Sequence, residues 1–209
     1  MEYFFQGSLD ACLQDIRSSS TLDQRLTERE LLSFALDITR GMEHLADLKI
    51  VHRYLSPKHV LVDSSLRCKI SNFGYASGVI DDKSFYEKGK SSCPERWMAM
   101  ESFLMTFTEK SDVWSFGVVL WQMASIGDTP YGLMTVDKIQ GKLKNGYRLP
   151  KPASCGQIAY EEMIDCWKKD PSDRPAFSKL VKSLHALTDN VKEFMDISAS
   201  RELAYSEVK

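Results

Sequence analysis

No stretch of the 209 residues comes near the ~20 consecutive apolar positions that a membrane-spanning helix needs. The N-terminus also lacks a basic-then-apolar leader, so the chain is expected to be soluble. An excess of one charge is missing too. The formal net charge is −2, which gives no pull toward nucleic acid or an anionic membrane surface. Cysteine is sparse: Cys12, Cys68, Cys93, Cys155 and Cys166 are odd in number and contain no C-x-x-C pair. Reduced, mostly buried thiols are therefore expected, rather than a disulfide framework or a metal site. Internal repeats and a domain linker are absent as well. The remainder, 43% hydrophobic and 27% charged, is ordinary globular composition with enough apolar material for one sizeable core.

Along the chain, Met1-Glu2-Tyr3-Phe4-Phe5 is an aromatic, strand-like run that breaks at Gly7. Ser8 can cap a short helix running to about Arg17, and Ser18-Ser19-Ser20-Thr21 is a polar loop. Thr27-x-x-Glu30 is a capping box. Leu31, Ala35, Ile38, Met42 and Leu45 follow at helical spacing, predicting a long amphipathic helix over about 27–48. Ile50-Val51, Val60-Leu61-Val62 and Arg67-Cys68-Lys69-Ile70 read as short strands, and 75–94 as a surface loop without periodicity. The stretch 111–121 is apolar on nearly every face and belongs in the centre of a domain. Gly127-Asp128-Thr129-Pro130 ends it with turn chemistry. Further helices are expected near 136–143, 158–168 and 176–187. One domain over 1–190 with a flexible tail over 191–209 completes the reading.

The loop Val51-His52-Arg53-Tyr54-Leu55-Ser56-Pro57-Lys58-His59-Val60, followed by Ser71-Asn72-Phe73-Gly74, resembles the H-R-D-L-x-x-x-N catalytic loop and D-F-G turn of protein kinases. Arg96-Trp97-Met98-Ala99-Met100-Glu101-Ser102 resembles the K-W-M-A-P-E-S of tyrosine kinases, and 111–117 matches S-D-V-W-S-F-G without a change. Thr129-Pro130-Tyr131, Cys166-Trp167, Asp170-Pro171 and Arg174-Pro175 complete a tyrosine-kinase signature. Phe85-Tyr86-Glu87-Lys88 is similar to the tyrosine-bearing segment of growth-factor receptor kinases. The resemblance implies an α+β, mainly helical, kinase-like C-terminal lobe of receptor type. It would be entered at the hinge, with the N-terminal lobe and its Gly-rich loop, lysine and glutamate absent.

By the same resemblance, the backbones of Glu2 and Phe4 would face an adenine ring, with Leu61 as its floor. Asp112 would accept hydrogen bonds from the catalytic-loop backbone, and Glu101 would pair with Arg174. Arg53 would clamp a phosphate on Tyr86, and Tyr205 would be a docking phosphotyrosine on the tail. Each has a plainer reading: core leucine, surface charge, surface aromatic, solvated tail.

The working atoms depart from the family pattern. Phosphoryl transfer is mostly positioning and charge neutralisation around magnesium. Tyr54 stands where an aspartate takes the substrate proton, yet a phenol of pKa ~10 is protonated at neutral pH. Losing such a base costs ~10²–10⁴-fold. Asn72 offers a neutral amide where magnesium favours a carboxylate, and His59 offers an imidazole, which suits zinc or copper. A zinc site on His52 and His59 lacks any Cys or carboxylate at ligand spacing.

The expectation is thus a pseudokinase, a cytoplasmic scaffold or allosteric partner of an active tyrosine kinase or signalling adaptor. It would form the intracellular part of a membrane receptor and touch neither nucleic acid nor membrane itself. No cofactor is expected; ATP and magnesium enter only if the missing lobe is supplied and binding is retained. The alternatives are a weakly active ATP-dependent protein-tyrosine kinase of receptor type, and the product of a decaying gene.

Overall fold

A computed structural model of the chain describes residues 7–18, 26–76 and 94–196. The expected hinge contacts Glu2 and Phe4 and the regulatory Tyr86 and Tyr205 lie outside the described residues. Among the described residues the fold is α+β and mainly helical, with one small antiparallel sheet. The first strand, β1 (Gly7–Ser8), runs into α1 (Leu9–Ser18), whose first turn is capped by Ser8 Oγ accepting the Ala11 N–H at 3.2 Å. The expected strand-like run over residues 1–5 lies outside the described residues; Gly7 itself pairs with Val62 at a φ of +83°, which glycine adopts without a Cβ penalty.

The capping box forms reciprocally at the head of α2 (Glu28–Asp47). Thr27 Oγ1 accepts the Glu30 N–H at 3.2 Å, and the Glu30 carboxylate accepts the Thr27 N–H at 2.7 Å. The helical stripe Leu31, Ala35, Ile38, Met42 and Leu45 is buried as its spacing requires. β2 (Val60–Val62) then pairs with β1 and with β3 (Cys68–Ile70). Strand alternation sends Val60 and Val62 into the core and turns Leu61 to the opposite face, half-buried beside Ser8 and Lys69. Ile50-Val51 is not a strand; only Val51 makes an isolated bridge.

At the centre lies α3 (Glu109–Ala124), with α2 and the helix Gln157–Cys166 packed against it. Every residue from Ser111 to Ala124 is buried, so its polar groups need internal partners. Ser115 Oγ donates to the Trp97 carbonyl at 2.8 Å, and Gln122 Nε2 donates to Asp10 at 3.2 Å. Gly117 lets Cys166 and Trp167 come close: a Cβ there would lie 2.7 Å from Trp167 Nε1 and 2.8 Å from Cys166 Cβ. α4 (Val136–Lys144), α5 (Gln157–Cys166) and α6 (Phe177–Ala186) lie within a residue or two of the expected spans. α6 packs on α2, and α5 on α3.

The packed body runs past the boundary expected at residue 190. Phe194 and Met195 are buried, Gly156 N–H donates to the Phe194 carbonyl at 2.9 Å, and Asp196 N–H donates to the Ser154 carbonyl at 2.7 Å. A Phe or Met side chain buried this fully contributes roughly 1.5–3 kcal/mol, which is reason enough for the chain to continue folding there.

Candidate functional site

The loop 52–59 hangs from one carboxylate. Asp112, in the first turn of α3 and 2% exposed, accepts the His52 N–H at 2.7 Å and the Arg53 N–H at 2.9 Å. Those two bonds hold Arg53 at φ +68°, a left-handed conformation that a non-glycine residue keeps only where its surroundings impose it. Burial pushes the Asp112 carboxyl up to about 7, against the pull of the His52 and Arg53 backbone hydrogen bonds and the Arg53 charge. The Arg53 guanidinium lies 5.4 Å from the Phe107 ring.

His52 is fully buried, and its partners fix its tautomer. Nδ1 accepts the Tyr54 N–H at 3.2 Å, so the proton sits on Nε2, which donates to the Ser71 carbonyl at 2.8 Å. Burial lowers its pKa to about 4, keeping the ring neutral. Both nitrogens are engaged, so His52 has no lone pair to give a metal.

The three positions that depart from the family pattern are each engaged in their own way. Tyr54 is 2% exposed and stacks face to face on Tyr75, with ring centroids 3.9 Å apart and planes 4° from parallel. His59 lies on Tyr54 as well, at 5.6 Å between centroids, and its Nδ1 donates back to the Tyr54 carbonyl at 2.6 Å. Ser71 ties the following turn to this loop: its N–H and its hydroxyl both donate to the His59 carbonyl at 2.9 Å. Asn72 is exposed and left-handed at φ +64°, a conformation asparagine tolerates well. Phe73, 40% exposed, meets the His52 ring edge-on at 5.6 Å.

These donors do not fit magnesium. A divalent hard cation wants anionic oxygens, and here it would meet a covered phenol, a neutral amide and an imidazole. Among the described residues no three His, Cys, Asp or Glu side chains gather closely enough to hold an ion. A cleft of about 560 Å³ does open beside His59, lined by Asp10, Lys58, Arg96, Trp97 and Gln122 among others. The loop therefore fronts open space although position 54 itself is covered.

The groups that hold the frame are in place. Arg174, its side chain fully buried, meets Glu101 with both ends of its fork at 2.5 and 3.0 Å. Its remaining donors reach the Lys168 and Lys110 carbonyls at 2.9 Å each. Arg174 and Arg148 both lie against the Trp114 indole, at 5.0 and 4.8 Å from the ring. Leu61, expected as the floor of an adenine pocket, is half-buried on the face of the sheet opposite Val60 and Val62.

Sequence reasoning passed over Tyr75, Ser71 and Trp114. The first stands at the edge of a span read as surface loop, and an aromatic there carries no signal until its partner at 54 is known to face it.

The profile of the protein tyrosine and serine/threonine kinase family matches residues 1–184. Ephrin type-A receptor 8 of Rattus norvegicus is 40% identical over 188 residues, covering 89% of this chain and 49% of that protein. Tyrosine kinase receptor Cad96Ca of Drosophila melanogaster is 33% identical over 204 residues, 94% of this chain and 26% of that protein. Tyrosine-protein kinase receptor Tie-1 of Danio rerio is 38% identical over 178 residues, 85% of this chain and 95% of that sequence. The chain thus spans about half or less of the first two relatives. Among the described residues no helix is long and apolar enough to cross a membrane.

Proposed function

The chain belongs to the protein tyrosine and serine/threonine kinase family, and from that premise we propose that this receptor-tyrosine-kinase-like domain is a pseudokinase. In this reading it acts as a scaffold or allosteric partner for an active tyrosine kinase or signalling adaptor, on the cytoplasmic side of a membrane receptor. Phosphoryl transfer is lost.

The single observation that carries the reading is the state of Tyr54. The residue at the base position is a phenol, 2% exposed and stacked under another ring, where a proton acceptor would have to reach a substrate hydroxyl. The metal-facing positions Asn72 and His59 support it through their donor chemistry. No cofactor is assigned; nucleotide and magnesium would need carboxylates that these positions do not supply. The contacts of Asp112, Glu101 and Arg174 support a lobe that still folds, as a protein-binding role requires.

A regulatory step belongs to the same reading. Phosphate on Tyr86 would draw its segment onto Arg53, whose guanidinium meets phosphate bidentately, and phosphate on Tyr205 would be a docking tag. The competing reading is a weakly active ATP-dependent protein-tyrosine kinase, favoured by the unaltered motif at 111–117 and its intact hydrogen bonds to the loop.

The test compares the full-length protein with its Tyr54→Asp, His59→Asn, Asn72→Asp variant for transfer of phosphate from Mg-ATP to a tyrosine peptide. Turnover in the variant and none in the natural protein is expected. Equal turnover in both would overturn the reading.

A further inference from the structure

The closest ring contact of the site, Tyr54 on Tyr75, is one that the loss of chemistry does not explain. Tyr54 could have been any residue lacking a base; instead it is an aromatic, buried between His59 and Tyr75. Tyr75 is half-buried and ends the single 3-10 turn Phe73–Tyr75. The segment leading to it is stitched to the same loop at three further places. Ser71 donates twice to the His59 carbonyl, His52 Nε2 donates to the Ser71 carbonyl, and Phe73 packs edge-on against His52. Ala76, 2% exposed, closes the turn with its N–H on the Phe73 carbonyl at 3.1 Å.

We propose that Tyr54 and Tyr75 form an aromatic latch that holds residues 71–76 across the former base position, so that this turn keeps one fixed conformation. The substitution at 54 is then a gain as well as a loss. A carboxylate under the Tyr75 ring would need water or a cation, and a flat phenol needs neither. Parallel rings in contact add attraction beyond their buried area, and they do so only while both are aromatic. The latch covers the Tyr54 ring, and it gives the pseudokinase a preset surface rather than a site that opens. The inference rests on the pseudokinase reading for its purpose, though not for its geometry.

Amide hydrogen exchange on the full-length protein tests it, read at residues 71–76 with amides of α3 as the control for global unfolding. Tyr75→Leu keeps an apolar side chain and removes the stack; exchange at 71–76 should quicken about fivefold or more while α3 is unchanged. Tyr54→Leu should do the same from the other side, and the double variant should add little to either single one. Tyr75→Phe, which keeps the ring, should stay within about twofold of the natural protein. Unchanged exchange in both leucine variants would overturn the latch, and so would a Phe variant as fast as the Leu variant. Phosphate transfer by the natural protein would instead sink the pseudokinase reading and leave these exchange results standing or falling alone.

Discussion

Removing the Glu101 carboxylate should cost more stability than any surface change in the chain. Arg174 has no exposed side-chain surface and Glu101 only 17%, so the guanidinium cannot turn to water when its partner goes. Stranding one member of a buried pair costs ~3–5 kcal/mol. Two carbonyls and the Trp114 face remain as partial compensation, which places Glu101→Ala at about 3 kcal/mol. Domains hold ~5–15 kcal/mol in total, and each kcal/mol moves the midpoint of a chain this size by ~2–4 °C. Circular-dichroism melts should therefore show Glu101→Ala lower by ~6–12 °C. Arg174→Lys should also be destabilised, because an ammonium cannot span both carboxylate oxygens and both carbonyls. The double variant Glu101→Ala, Arg174→Met should lose less than the sum of its parts, since no charge is left stranded. A Glu101→Ala cost under about 1 kcal/mol, confirmed by urea midpoints, would refute the claim that this pair anchors the lobe.

Two further outcomes concern pH and backbone fit. His52, lowered by burial from 6.5 to about 4, refuses a proton that the unfolded chain accepts, so alone it makes stability fall as pH drops through that window. Asp112, raised by burial from 3.8 to about 7, keeps a proton that the unfolded chain has lost, so alone it makes stability fall as pH rises through nearly the same window. The two slopes oppose, and their joint contribution should be nearly flat between about pH 4.5 and 6. Asp112→Asn should unmask the histidine, adding a loss of up to ~1.4 kcal/mol per pH unit on acidification, read as the difference between urea curves for the two proteins; an unchanged difference across the window would contradict this. Gly156→Ala should destabilise by ~1–3 kcal/mol, because its Cβ would sit 2.0 Å from the Glu193 carbonyl oxygen. Greater protease cleavage near Phe194 should accompany the loss, and a variant as stable as the natural chain would count against the packed C-terminal segment.

The helices were legible because their signals are local. The Thr27–Glu30 capping box, the stripe from Leu31 to Leu45 and the all-round apolar run of α3 each need only the residues in view. The loop contacts of Asp112 and the Glu101–Arg174 pair were legible only through resemblance, since 59–73 residues separate the partners. Three features escaped. Ile50-Val51 has strand composition but finds only an isolated bridge, because pairing is decided by neighbours rather than by propensity. Phe194 and Met195 lie in a polar-looking tail, yet two buried side chains suffice to hold it against Ser154 and Gly156. The Tyr54–Tyr75 stack joins two aromatics whose meeting depends on the left-handed turn at Asn72, a backbone property that no spacing rule reveals.

The reading of the site comes down to whether a lobe can retain its scaffold and yet lack the oxygens that move a phosphoryl group. Single-turnover transfer from Mg-ATP by the purified full-length protein addresses this most directly, with a parallel preparation altered at the nucleotide-binding lysine of the family to expose contaminating kinases. No magnesium-dependent product above that control is the expected result. Turnover that depends on magnesium and disappears in the control preparation would contradict it.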